Sequence, residues 1–219
     1  MQATLHYLYD PFCGWCWGAA PLIAAAAHLP GLRVQLHGGG LLMGENARFM
    51  SAEWREFVRP HEARITALSG QGFGSGYRDI AQYDRTLRLD SAPPIAAMLA
   101  AESLAGLGLA MARRLQRAYY VEGLPIAERD ELVLQAQELG LTAERFEPAL
   151  ERALSGLGAH VDATQALLRR LGGRGYPTLA LERQAQFELL PLGQWLGRPQ
   201  PLVEALAQRL AEPPVPQAA

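Results

Sequence analysis

The spacing of apolar and polar positions changes twice within the first forty or so residues. Residues 3–9 alternate loosely and are rich in Leu and Tyr, which predicts a strand. After Asp10-Pro11 an alanine-rich stretch runs to His28 and predicts a helix, with Pro21 placed to kink it. Leu32-Arg33-Val34-Gln35-Leu36-His37 reads as a second strand, closed by Gly38-Gly39-Gly40. Strand, helix and strand in this short compass make a βαβ unit.

From about residue 45 to 172 the period becomes helical. Ser51 is placed to cap a helix toward Leu68, interrupted at Pro60, and Ser91-Ala92-Pro93-Pro94 puts a cap and prolines at the start of another. Residues 108–121, 127–139, 143–155 and 160–171 carry apolar positions at three- and four-residue spacing. Gly123-Leu124-Pro125, Gly140 and the pair Gly156 and Gly158 are the predicted breaks between them. Beyond Gly172-Gly173-Arg174-Gly175-Tyr176-Pro177, residues 178–182 read as a strand and 187–190 as its hairpin partner. Pro201 opens a last helix to Leu210, and Pro213-Pro214-Val215-Pro216 reads as a frayed tail.

Composition removes several function classes. With 49% hydrophobic and 19% charged residues, the chain of 219 has ample material for a core. A formal net charge of -2 and the lack of any Lys/Arg run give no case for nucleic acid. No apolar run approaches the roughly 20 residues that span a bilayer, so no membrane partner is expected. The opening reads as a strand, not as a basic segment followed by a long apolar one, so no secretion signal is expected and the protein is read as cytoplasmic.

There are two cysteines, Cys13 and Cys16. A disulfide so short would constrain little of the unfolded chain, and in a reducing compartment the pair points to chemistry more than to scaffolding. Cys13-Gly14-Trp15-Cys16 lies between a strand and a helix start. Unpaired N–H groups and the positive end of the helix dipole favour a thiolate at the first cysteine, making Cys13 the nucleophile. Cys16, one turn on, is placed to attack a mixed disulfide formed there. A zinc site would need further ligands, and the five histidines are scattered, so no metal is expected.

Asp10-Pro11-Phe12-Cys13-Gly14-Trp15-Cys16-Trp17-Gly18 resembles the active-site segment of DsbA-like, and especially FrnE-like, thioredoxin-fold oxidoreductases. Gln116-Arg117-Ala118-Tyr119-Tyr120, Glu138-Leu139-Gly140-Leu141 and Gly175-Tyr176-Pro177-Thr178 resemble the same family in the same order. The resemblance implies an α/β chain: a thioredoxin fold, βαβ … ββα, interrupted by an all-helical insertion. Its expected divisions are 1–44, the insertion 45–160, and 161–219. It also implies a cis Tyr176–Pro177 bond facing the cysteines, with that loop's backbone pairing with substrate. The dipeptide between the cysteines departs from DsbA, being Gly-Trp and not Pro-His.

Cys13 and Cys16 are therefore the expected catalytic pair, and Trp15, Tyr176 and Pro177 the expected substrate contacts. Phe12, Trp15, Trp17 and Tyr176 suggest an apolar collar, with Trp17 read as core and Trp15 as surface. Asp10 reads as a turn cap or a solvated acid, with a proton relay as the alternative. Gly70–Gly76 lacks both nucleotide fingerprints and reads as a loop between helices, a flap over the site being the alternative. Arg113-Arg114 and Arg169-Arg170 read as solvated helix faces.

The expected reaction is disulfide exchange on protein, peptide or small-thiol disulfides, with no bound cofactor and glutathione as a candidate redox partner. The rival enzyme reading is a glutathione-dependent kappa-class transferase or hydroxychromene-carboxylate isomerase. Those enzymes resemble the chain in layout but generally have a serine or another lone nucleophile where the cysteine pair stands. A binding module without catalysis would not need two thiols. Oligomeric state is not written in the sequence.

Overall fold

The computed structural model describes residues 3–211. The proline-rich tail at 213–216 lies outside the described residues. Strand β1 (Ala3–Tyr9), helix α1 (Gly14–Ala26) and strand β2 (Leu32–Gly38) form the first unit. Strands β5 (Thr178–Arg183) and β6 (Gln186–Leu190) and helix α7 (Pro199–Ala211) form the last; β3 and β4 are a two-residue ladder, Arg48–Phe49 with Arg88–Leu89. The main sheet has the order β2-β1-β5-β6, parallel between β1 and β2 and antiparallel elsewhere. Central position explains the composition of β1: Leu5, Tyr7, Leu8 and Tyr9 are all buried, as a strand covered on both faces requires.

Between the two units lie α2 (Ala52–Ser69), α3 (Ala92–Ala105), α4 (Gly108–Arg117), α5 (Arg129–Glu138) and α6 (Ala143–Arg170). This is a thioredoxin-like fold interrupted by helices, with the small β3–β4 ladder as an unpredicted addition. Helix α1 packs on α7 and α2, α3 packs on α6, and α6 reaches β2. Gly18 lets α2 approach α1, because a Cβ there would meet Ile65 at 2.9 Å. Among the described residues no helix is long and apolar enough to cross a membrane.

Four local expectations need correction. Pro60 does not interrupt α2, which runs from Ala52 to Ser69 across it; the proline is on the exposed side, and packing of the helix on α1 outweighs its local cost. Gly156 and Gly158 do not divide two helices: α6 runs unbroken from Ala143 to Arg170. Each glycine costs about 1 kcal/mol against alanine, but a buried stripe through Phe146, Leu150, Leu157, Val161 and Thr164 holds the helix across them. Ser91 does not cap α3 with its side chain; Asp90 accepts from the Ala92 N–H, and the Ser91 hydroxyl is used elsewhere. Arg114 is also not merely solvated, because it bridges Glu122 and Glu138 at 2.6 Å each.

Candidate active site

The turn before α1 is built by Asp10. Its carbonyl accepts from the Cys13 N–H at 3.1 Å and its Oδ1 from the Phe12 N–H at 3.0 Å. Cys13 is the N-cap of α1, with extended backbone (φ -84°, ψ 109°). Its carbonyl takes the N–H of Cys16 at 2.9 Å and of Trp17 at 3.1 Å, which starts the helix. The Cys13 side chain thus stands where the unpaired N–H groups and the positive end of the dipole are found. Cys16 lies one turn inside. Relative exposure is 7% for Cys13 and 0% for Cys16, and both are free thiols. Burial first, and the Cys13 thiol beside it second, hold Cys16 well above the ordinary thiol range.

Opposite the turn, the Tyr176–Pro177 bond is cis, as the resemblance implies. The Cys13 thiol donates to the Tyr176 carbonyl at 3.4 Å. The Tyr176 hydroxyl in turn donates to the Gly39 carbonyl at 3.0 Å. No side chain fits at position 39, where a Cβ would come within 2.0 Å of the Tyr176 ring. Segments from three parts of the chain therefore fix one another around the first sulfur.

Asp10 is fully buried, not solvated, and acts as a hub. Oδ1 also accepts from the Ser91 hydroxyl at 2.9 Å, and Oδ2 accepts from the Leu41 N–H at 2.7 Å. Burial raises its pKa to about 6, against the opposing pull of these donors. With both oxygens engaged, the capping role is the one its geometry supports.

Beside Cys13 is a cavity of about 230 Å³ with aromatic walls, including Phe12, Trp54, Tyr119 and Tyr120. Phe12 meets Tyr119 edge-on at 4.9 Å between ring centroids. Trp15 and Tyr176 form a ridge between this cavity and a second cleft of about 580 Å³, which Pro177 also lines. Phe12, Trp15 and Tyr176 thus gather at the cysteines. Trp17 turns into the core, its indole N–H on the Gly72 carbonyl at 3.1 Å. The glycine-rich segment passes alongside: Phe73 lines the cavity and the Gly74 N–H bonds the Tyr120 carbonyl at 2.9 Å.

Sequence reading missed the contribution of α2 to the cavity wall, including Glu62, which accepts from Tyr77 at 2.6 Å and Gln82 at 2.8 Å. The amphipathic spacing of α2 marks a packed helix but not its partner. The histidines are less scattered than the sequence suggests. His6 Nδ1 and His37 Nε2 are 2.9 Å apart, and His6 Nε2 lies 2.8 Å from Glu182. No group of three or more potential metal ligands occurs among the described residues.

A search of curated proteins gave no match. The chain is similar to the cytosolic disulfide reductase DsbM from Pseudomonas aeruginosa, with 48% identity and a TM-score of 0.89 over 94% of this chain and 98% of that one. It is similar to a structure of that protein with GSH at 47% identity and a TM-score of 0.88, over the same shares of the two chains. A 2-hydroxychromene-2-carboxylate isomerase, at 14% identity and a TM-score of 0.61, covers 95% of this chain and 98% of its own and shares the fold alone. The model of the DSBA-like thioredoxin domain matches residues 4–207, and the chain belongs to that family.

Proposed function

We propose that this thiol–disulfide oxidoreductase works in the cytoplasm as a disulfide reductase, with Cys13 as the attacking thiol and Cys16 as the resolving thiol. The observation that carries the assignment is the asymmetry of the pair. Cys13 caps α1 with its sulfur on the Tyr176 carbonyl, while Cys16 is sealed one turn inside. The direction of net reaction is supported by the 48% identical relative, described as a cytosolic disulfide reductase.

The Cys13 thiolate attacks one sulfur of a substrate disulfide, forming a mixed disulfide and releasing the other half as a thiolate. Cys16 loses its proton and attacks the Cys13 sulfur, releasing the second thiol and leaving Cys13–Cys16 oxidised. Two molecules of a low-molecular-weight thiol, glutathione being the candidate, then reduce the pair and leave as their own disulfide. The DsbM structure with GSH supports that choice. Trp15, Tyr176 and Pro177 line the second cleft, which Tyr176 joins to the Cys13 sulfur through its carbonyl, and are the proposed contacts for a protein, peptide or small-thiol substrate. The insertion, taken as residues 45–160, supplies the far wall through α2.

Equilibrating the pure protein in glutathione buffers tests the reading. The expected result is a reversible two-electron Cys13–Cys16 couple at the reducing end of the glutathione range. A strongly oxidising couple would overturn the direction, and no reversible couple would overturn the function.

A further inference from the structure

The two hollows that meet at the Trp15–Tyr176 ridge carry opposite charge. In the aromatic cavity the one formally charged lining residue is Glu62. In the cleft on the Pro177 side the charged lining residues are Arg64, from α2, and Arg174, from the loop before β5, with no acidic side chain among the lining. Both arginines are exposed, and neither is paired with a carboxylate among the described residues. Arg64 instead rests its guanidinium over the Trp15 ring at 5.6 Å, against the same ridge. Arg114 and Arg129, by contrast, each hold two glutamates, and Arg209 holds Glu188. The rest of the lining is largely apolar and includes Leu68, Leu190 and Leu192.

We propose that Arg64 and Arg174 make this cleft a charge-selective subsite for thiols and disulfides that carry a carboxylate a few bonds from the reacting sulfur. The inference rests on the reading that Cys13 is the attacking thiol, since the cleft matters through its place beside Tyr176. A guanidinium presents paired donors that match a carboxylate, and two of them at the rim of one cleft favour an anionic substrate before any closer contact forms. Glutathione carries such carboxylates, and so does an acidic peptide. Because both arginines are solvated, the effect is modest, about threefold for each and about tenfold for the two together, and it weakens with salt.

The test compares, by stopped flow without added thiol, the second-order rate constants with which three disulfides oxidise the reduced protein: glutathione disulfide, a peptide disulfide with glutamates beside its cysteine, and uncharged hydroxyethyl disulfide. The readout is the ratio of each anionic substrate to the uncharged one. In the Arg64→Ala/Arg174→Ala variant that ratio is expected to fall about tenfold, and in the paired lysine variant to stay within about twofold of wild type. A fall for glutathione disulfide alone assigns the subsite to the small thiol, and a fall for the peptide alone assigns it to acidic peptides. An unchanged ratio for both overturns the inference while leaving the cysteine chemistry intact. A wild-type protein whose cysteine pair is oxidised by none of the three overturns the cysteine reading and this inference with it.

Discussion

The thiol of Cys13 donates to the main-chain carbonyl of Tyr176 at 3.4 Å, joining residues 163 positions apart. Each partner is held from behind. Cys13 is fixed by the Asp10 turn, and Tyr176 by its hydroxyl on Gly39. The Cys13 end of the pair is thus presented by scaffold, while Cys16 is sealed beneath it.

This asymmetry predicts the order of alkylation. In the reduced protein at neutral pH, iodoacetamide should modify Cys13 and spare Cys16, since only a thiolate reacts and burial keeps Cys16 protonated. Peptide mapping by mass spectrometry reads the outcome. Modification of Cys16 first would reverse the roles.

The contact between Gly39 and Tyr176 predicts a coupled pair of variants. Gly39→Ala should push the Tyr176 ring aside, destabilise the fold by about 1–3 kcal/mol and slow turnover, because the displaced ring takes with it the carbonyl facing Cys13. Tyr176→Phe loses one hydrogen bond, at a cost of about 1 kcal/mol, and should keep most activity. Combining Gly39→Ala with Tyr176→Ala should relieve the clash. A double-mutant cycle in urea would then show favourable coupling between the sites, and strictly additive costs would contradict the contact.

Asp10 predicts a pH dependence of stability. Its folded pKa is raised to about 6 from an ordinary value of 3.8. Between these values the folded state keeps a proton that the unfolded chain has released. The contribution of this group is therefore fully present below about pH 4 and lost as pH rises through about 6, at up to about 1.4 kcal/mol per pH unit. Asp10→Asn cannot titrate, so wild type should lose stability relative to the variant between pH 4.5 and 7. At both pH values the variant also forfeits an acceptor, either for Leu41 or for Phe12 and Ser91. Urea unfolding at the two pH values checks this, and an unchanged difference between the proteins would contradict it.

Much of the site was legible because its parts are local. The strand, turn and helix around Cys13-Gly14-Trp15-Cys16 follow from short-range pattern, and the Gly175-Tyr176-Pro177-Thr178 resemblance located the facing loop. What pattern could not supply was long-range pairing. Nothing near Asp10 says that Ser91 and Leu41 meet it, and nothing in α2 says that Arg64 lies over Trp15. The division of α6 at Gly156 and Gly158 failed for a related reason. Glycine weakens a helix by a local cost, and the stripe that outweighs it is buried by packing against distant elements.

The measurement that bears most directly on the cysteine assignment is trapping with glutathione disulfide. Cys16→Ser keeps the attacking thiol and removes the resolving one, so it should accumulate one glutathione in mixed disulfide with Cys13, read by intact mass and peptide mapping. Cys13→Ser should stay unmodified under the same conditions. Equal trapping by the two variants, or an adduct on Cys16 alone, would contradict the account.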